Sequence, residues 1–148
     1  MTQSDTNAGA TGADNLVETL KQAGVDTYFA NPGTSEMQLV SAIDKTDGVR
    51  SVLALFEGVA TGAADGYARV LNKPVGVLLH LGPGLGNGWA NLHNARRAYA
   101  PVLNIVGDHA VDHLALDAPL TSDLDGISGS ISHSSMRPDG KHDLSGAG

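Results

Sequence analysis

Glu57 stands alone in the stretch VLALFEGVATGAADGYARV, residues 52–70, where a strongly apolar run gives way to alanine and glycine. A carboxylate at that point can favour the positive end of the dipole of a helix behind it. Its neighbours allow a second use. The side chains of GVATGAADG are so small that a backbone, another surface or a flat ring can come close, and covering the carboxylate in this way would desolvate it and raise its pKa. A glutamate that holds or shares a proton near neutral pH serves as a general acid or base, or as the hydrogen-bond partner of a ring nitrogen. His80, in PVGVLLHLG, is a second candidate for moving protons, with a hydrogen-bonded structural role as the alternative. The glycines of GPGLGNG, residues 82–88, suggest a phosphate cradle, but Asn87 stands where a dinucleotide fingerprint needs a small residue, and the Gly-Lys-Ser/Thr of a P-loop is absent. Close packing between a strand and a helix is the other use of such glycines. His109 and His113, four apart in DHAVDH, make only a weak metal pair, because no third ligand is specified.

Alternating elements must position these residues. Asp14 as N-cap, Leu16, Val17, Leu20 and Ala23 as an apolar stripe, and Gly24 as stop predict a first helix. VDTYFA reads as a strand and NPG as a turn, and SEMQ reads as a capping box of Ser35 and Gln38 that opens a helix carrying Leu39, Val40 and Ile43. The pattern then repeats: strand VRSVLAL, a helix from about Gly58 to Leu71, a break at Asn72 to Pro74, strand VGVLLH, a glycine loop, a helix from about Asn87 to Ala98, and strand VLNIV. Strands apolar at nearly every position are buried on both faces, and their alternation with helices gives right-handed crossovers and a mostly parallel sheet. The expected fold class is α/β, three-layered and flavodoxin-like. Ligands of such sheets gather at the carboxyl ends of the strands, where NPGTS, FEG and HLGPGLGN all fall.

The 148 residues, 41% hydrophobic and without cysteine, fit one domain with neither disulfides nor thiolate metal sites. A net charge of −7 with 9 Lys+Arg leaves no basic stripe for a nucleic-acid backbone. No apolar run approaches the roughly 18–20 residues that span a bilayer. The beginning MTQSDTNAGATGAD lacks the basic and apolar regions of a signal peptide, so the expected compartment is the cytoplasm. Residues 1–13 read as a flexible arm. From about Val111 onward, and most plainly in GISGSISHSSMRPDGKHDLSGAG, apolar periodicity fades, which predicts a disordered end or a linker.

FEGVATGAADGYAR, together with NPGTSE and GPGLGN, resembles the N-terminal pyrimidine-binding domain of thiamine-diphosphate enzymes of the acetolactate synthase and benzoylformate decarboxylase superfamily. The resemblance covers roughly residues 14–133, leaving 134–148 as a disordered or aberrant tail. It implies that Glu57 hydrogen-bonds the aminopyrimidine nitrogen of thiamine diphosphate and so promotes loss of the thiazolium proton, the cofactor supplying the carbanion chemistry. It implies a cofactor surface at Pro32, Gly33, Gly82, Pro83, Gly84 and Asn87, and a 2-oxo acid substrate with Thr34 beside its carboxylate. LLHLGPGLGN is a hybrid: His80 resembles the decarboxylase type, where it would transfer protons, and Gly82, Pro83 and Gly84 resemble the synthase type. Family members bind Mg2+ and the diphosphate through a Gly-Asp-Gly motif in a later domain, and that motif is absent from these 148 residues. The expectation is a truncated form inactive alone, assembling as a homo-oligomer or with a homologous full-length chain. The alternative is a non-catalytic interaction module that pairs with a full-length homologue.

Overall fold

The computed structural model describes residues 10–138. Four parallel strands, β1 (Thr27–Asn31), β2 (Arg50–Leu53), β3 (Val75–Leu79) and β4 (Val102–Val106), lie in the order β2-β1-β3-β4. This is the strand order of flavodoxin-like doubly wound sheets. β3 is buried at all five positions, as its nearly continuous apolar sequence requires of a central strand. The pairing aligns the carboxyl ends, with Ala30 opposite both Leu53 and Leu78, and Leu79 opposite both Asn31 and Val106.

Helices cover both faces and make three layers. On one face, α1 (Gly12–Gln22) and α2 (Met37–Lys45) bury Ala13, Val17, Ala42 and Ile43 against Tyr28, Ala30 and Leu78. On the other, α3 (Glu57–Leu71), α4 (Leu81–Arg97) and α5 (Leu124–Ile131) bury Ala60, Ala64, Ala68, Leu85, Leu92, Leu124 and Ile131 against Val75, Val77 and Leu79. Among the described residues no helix is long and apolar enough to cross a membrane.

Several local expectations change. α1 starts at Gly12, and its N-cap is Thr11 rather than Asp14. Thr11 Oγ1 accepts the Asp14 amide at 3.2 Å, and the Asp14 carboxylate accepts the Thr11 amide at 2.8 Å. Lys45, 2.6 Å from Asp14, and then Thr11 hold the Asp14 carboxyl down at about 2. The expected arm thus ends two residues earlier, and residues 1–9 of it lie outside the described residues. The Ser35/Gln38 box does not form. Thr34–Glu36 is a short 3-10 turn in which the Glu36 carboxylate accepts the Gly33 amide at 2.8 Å, and α2 follows from Met37.

The largest change is the glycine loop, which is the start of α4. His80 is its N-cap, and Leu81, at φ 54°, turns the chain sharply out of β3. Pro83 falls within the first turn, where backbone amides have no intrahelical acceptor, so its missing N–H costs nothing there. Low helix propensity is overridden by packing, since Gly84 and Gly88 let α3 and α4 lie close. A Cβ at Gly88 would meet Thr61 Cγ2 at 2.7 Å. Gly88→Val is therefore expected to destabilise the fold by about 1–3 kcal/mol, the usual cost of overpacking, read as a lower urea midpoint.

The end expected to be disordered from Val111 is also corrected. Leu114–Leu116 forms a 3-10 turn, and α5 begins behind Asp123, whose side chain accepts the Gly126 amide at 2.9 Å. Residues 132–138 carry no regular element, and 139–148 lie outside the described residues. Arg137 pairs with Asp108 and reaches Asp125 at 3.4 Å.

Candidate functional site

Two clusters form at the carboxyl ends of the strands, and the first turns of α4 belong to both. The first is centred on Glu57, the first residue of α3 and half-buried. Asn87 Nδ2 donates to its Oε2 at 3.0 Å. Its Oε1 faces Gly84, where a Cβ would stand 3.1 Å away. Among the described residues Oε1 has no hydrogen-bond partner, so one carboxylate oxygen is braced and the other is available.

The first turn of α3 and the chain leading into it are held from several sides. Thr61 Oγ1 donates to the Glu57 carbonyl at 2.9 Å, Asn91 Nδ2 donates to the Gly58 carbonyl at 2.6 Å, and Asn31 Nδ2 donates to the Ala54 carbonyl at 2.8 Å. The sequence reading did not single out Asn91 or Asn31. An asparagine at a strand's last position, and another four residues after Asn87, were the signals available.

The second cluster joins the β1 and β3 ends. His80 Nδ1 lies 2.8 Å from Glu36 Oε2, the oxygen that also accepts the Gly33 amide. The imidazole lies against Gly33, where any Cβ would run into the ring. Glu36 is fully buried, while the His80 side chain keeps 26% of its surface exposed. Glu36 was missed as a site residue because an acid inside NPGTSE reads as helix-start chemistry.

The remaining candidates divide. Pro32 and Gly33 are half-buried in the turn that carries Glu36, and Thr34 is exposed next to them. Gly84 and Asn87 gather at Glu57. Gly82 is buried but packs against Ser122, in the loop before α5, and Pro83 is exposed. The two are therefore not brought to Glu57 by a contact of their own. His109 and His113 do not share a helix, and the His109 ring Nε2 lies 3.1 Å from the Pro119 carbonyl.

An apolar surface borders the Glu57 cluster. Leu55 is 92% exposed, Val59 60% and Phe56 49%. Single exposed apolar residues are ordinary, but three within five positions around a carboxylate leave that carboxylate wet until something covers them. The arrangement has one oxygen of a braced carboxylate free, glycines that admit a flat group, and an imidazole on a nearby strand end. Chemically it can hold a ring N–H at Glu57 and exchange a proton at His80.

Residues 10–132 match the family model of the thiamine pyrophosphate enzyme N-terminal TPP binding domain. A Mycobacterium tuberculosis protein carrying the provisional name acetolactate synthase large subunit is 62% identical over 121 residues, 82% of this chain and 24% of that protein. Benzoylformate decarboxylase of Pseudomonas aeruginosa is 33% identical over 105 residues, 71% of this chain and 20% of that protein. Among solved structures, the thiamine diphosphate-dependent 4-hydroxybenzoylformate decarboxylase of Rhodococcus jostii RHA1 superposes with a TM-score of 0.81 at 29% identity, covering 88% of this chain and 24% of that chain. The chain thus spans about a quarter or less of the length of these relatives.

Proposed function

Given that this chain belongs to the thiamine pyrophosphate enzymes, through their N-terminal TPP-binding domain, we propose that it forms the pyrimidine-binding part of a site acting on 2-oxo acids. The observation that carries this reading is the Glu57 carboxylate, with Oε2 held by Asn87 and Oε1 left to face Gly84. A flat aminopyrimidine fits where a Cβ at residue 84 would crowd that oxygen. When bound, thiamine diphosphate supplies the carbanion chemistry that lets a 2-oxo acid lose carbon dioxide. The chain's own part is narrower. Glu57 holds the ring nitrogen and the proton on it. Gly33, Pro32 and Gly84 give backbone-lined walls, while Gly82 and Pro83 shape the turn of α4 that carries Gly84, and Asn87 fixes the carboxylate. His80 exchanges a proton with the substrate, and Thr34 stands on the turn beside it. Whether the products involve a new carbon–carbon bond is decided by the substrate side, because the fold serves both outcomes.

Magnesium and the diphosphate belong, on this reading, to residues outside these 148. Among the described residues no cluster of three or more His, Cys, Asp or Glu is arranged for a metal, and the sequence contains no Gly-Asp-Gly. Leu55, Phe56 and Val59 are the surface that a covering element, in a second copy or a homologous full-length chain, would bury, and that burial would desolvate Glu57. The same surface serves the alternative reading, a non-catalytic module that pairs with a full-length homologue.

The test joins residues 10–132 to the remaining domains of a benzoylformate decarboxylase or acetolactate synthase and measures carbon dioxide release from pyruvate and benzoylformate with thiamine diphosphate and Mg2+. Cofactor-dependent release is expected from the chimera, and none from the 148 residues alone. A folded, cofactor-binding chimera without release from either acid would favour the non-catalytic module. Turnover by the 148 residues alone would overturn the assignment of the metal to residues elsewhere.

A further inference from the structure

Glu36 is a fully buried carboxylate that the function above leaves unused. Burying a carboxylate is costly unless its lone pairs are occupied; among the described residues Oε1 is buried without a hydrogen-bond partner, so the compensation rests on Oε2, and its partners indicate what the group does. Both are at the candidate site: the Gly33 amide and His80 Nδ1, each 2.8 Å from the same oxygen, Oε2. The seat is tight at two points. A Cβ on Gly33 would strike the imidazole, and a Cβ on Gly107, just beyond β4, would strike Glu36 Oε1. Two glycines from different strand ends therefore leave room for one carboxylate and one ring in a single arrangement.

The proton between Oε2 and Nδ1 is assigned to nitrogen, because Oε2 already accepts the Gly33 amide N–H and so stands as an acceptor toward the ring as well. A neutral imidazole has one N–H and one acceptor nitrogen. With Nδ1 committed to Glu36, Nε2 is the acceptor. Among the described residues Nε2 has no hydrogen-bond partner, and it is not sealed from solvent. We propose that Glu36 is a positioning residue that locks His80 as the Nδ1–H tautomer and turns Nε2, as the proton-exchanging nitrogen, toward the cleft. The functional half of this statement rests on the proton-transfer reading of His80, and the tautomer half does not.

The experiment separates the two halves. Long-range 1H–15N correlations of the full 148-residue chain, with the His80 signals identified by their loss in His80→Gln, report which ring nitrogen carries the proton. The expected pattern, above the pH at which the ring becomes neutral, is N–H at Nδ1 and a bare Nε2. Glu36→Ala should abolish this preference. A wild-type ring protonated on Nε2, or an unchanged tautomer in a folded Glu36→Ala, overturns the proposal. If Glu36→Ala does not fold, the wild-type spectrum decides alone. In the active chimera, Glu36→Ala and His80→Ala should each slow turnover by roughly 10- to 100-fold, the range for partners that orient a histidine, and the double variant should be no slower than the worse single one. Full additivity overturns the coupling. An Nδ1–H tautomer with undiminished turnover in His80→Ala would defeat only the functional reading of His80.

Discussion

Glu57→Gln, placed in the chimera with the remaining domains of a relative, should lower turnover by about 10²-fold or more, the scale of general acid–base catalysis. The substitution is mild in shape. Glutamine keeps the length of the side chain, its carbonyl oxygen can still accept from Asn87 Nδ2, and the approach past Gly84 stays open. What it removes is the negative charge and the ability to carry an exchangeable carboxyl proton at Oε1. Cofactor affinity should fall much less than turnover, because the walls contributed by Gly33 and Gly84 are untouched. Hydrogen–deuterium exchange at the thiazolium carbon of the bound cofactor isolates the effect from later steps. An exchange rate equal to wild type in Glu57→Gln would defeat the assignment whatever the overall activity.

The second large effect is structural. Gly107→Ala should cost about 3 kcal/mol or more, since overpacking is joined here by the loss of partners for a buried carboxylate. Gly107 donates its own amide to the Leu79 carbonyl at 3.1 Å and so cannot swing away cheaply. Its new methyl would meet Glu36 Oε1, and Glu36 could escape only by giving up Gly33 and His80. A drop of about 6–12 °C in Tm follows for a domain of this size. Gly66→Ala in α3 is the control: no atom lies within 4 Å of a Cβ there, and relief of glycine's helix penalty should stabilise by about 0.5–1 kcal/mol. Equal midpoints for Gly107→Ala and wild type would show that the Glu36 seat is looser than its contacts imply.

The α/β class, the four parallel strands and Glu57 at the start of α3 were legible because each rests on a local pattern that tertiary structure reinforces. VGVLL is apolar at every position but one and becomes the fully buried β3. GPGLGNG misled for the opposite reason, since its glycines lower helix propensity while their purpose is the close approach of α3, a contact 30 residues away for Asn87 and Glu57. α5 was missed although Leu124, Ile127 and Ile131 recur at helical spacing, because glycine and serine between them dilute the stripe. The Glu36–His80 pair spans 44 residues, and no spacing rule within either segment connects them. Its only trace is that both residues stand just past strand ends that the fold brings together.

The opening of α4 also sets the kind of change this segment tolerates. His80 caps the helix, Gly84 donates its amide to the His80 carbonyl at 3.0 Å one turn later, and Asn87 stands almost two turns from the cap. At 1.5 Å and about 100° per residue, the distance and angular phase between the Glu36-bound imidazole and the Glu57-bound amide are fixed by counting residues. Substitution at an outward position such as Gly86, with open space around it, leaves that count intact. Inserting a single residue between Leu81 and Gly84 would rotate Asn87 by about 100° relative to His80 and carry it off Glu57 without altering any side chain. Variation among chains built on this plan should therefore run through residue types here and stop at length.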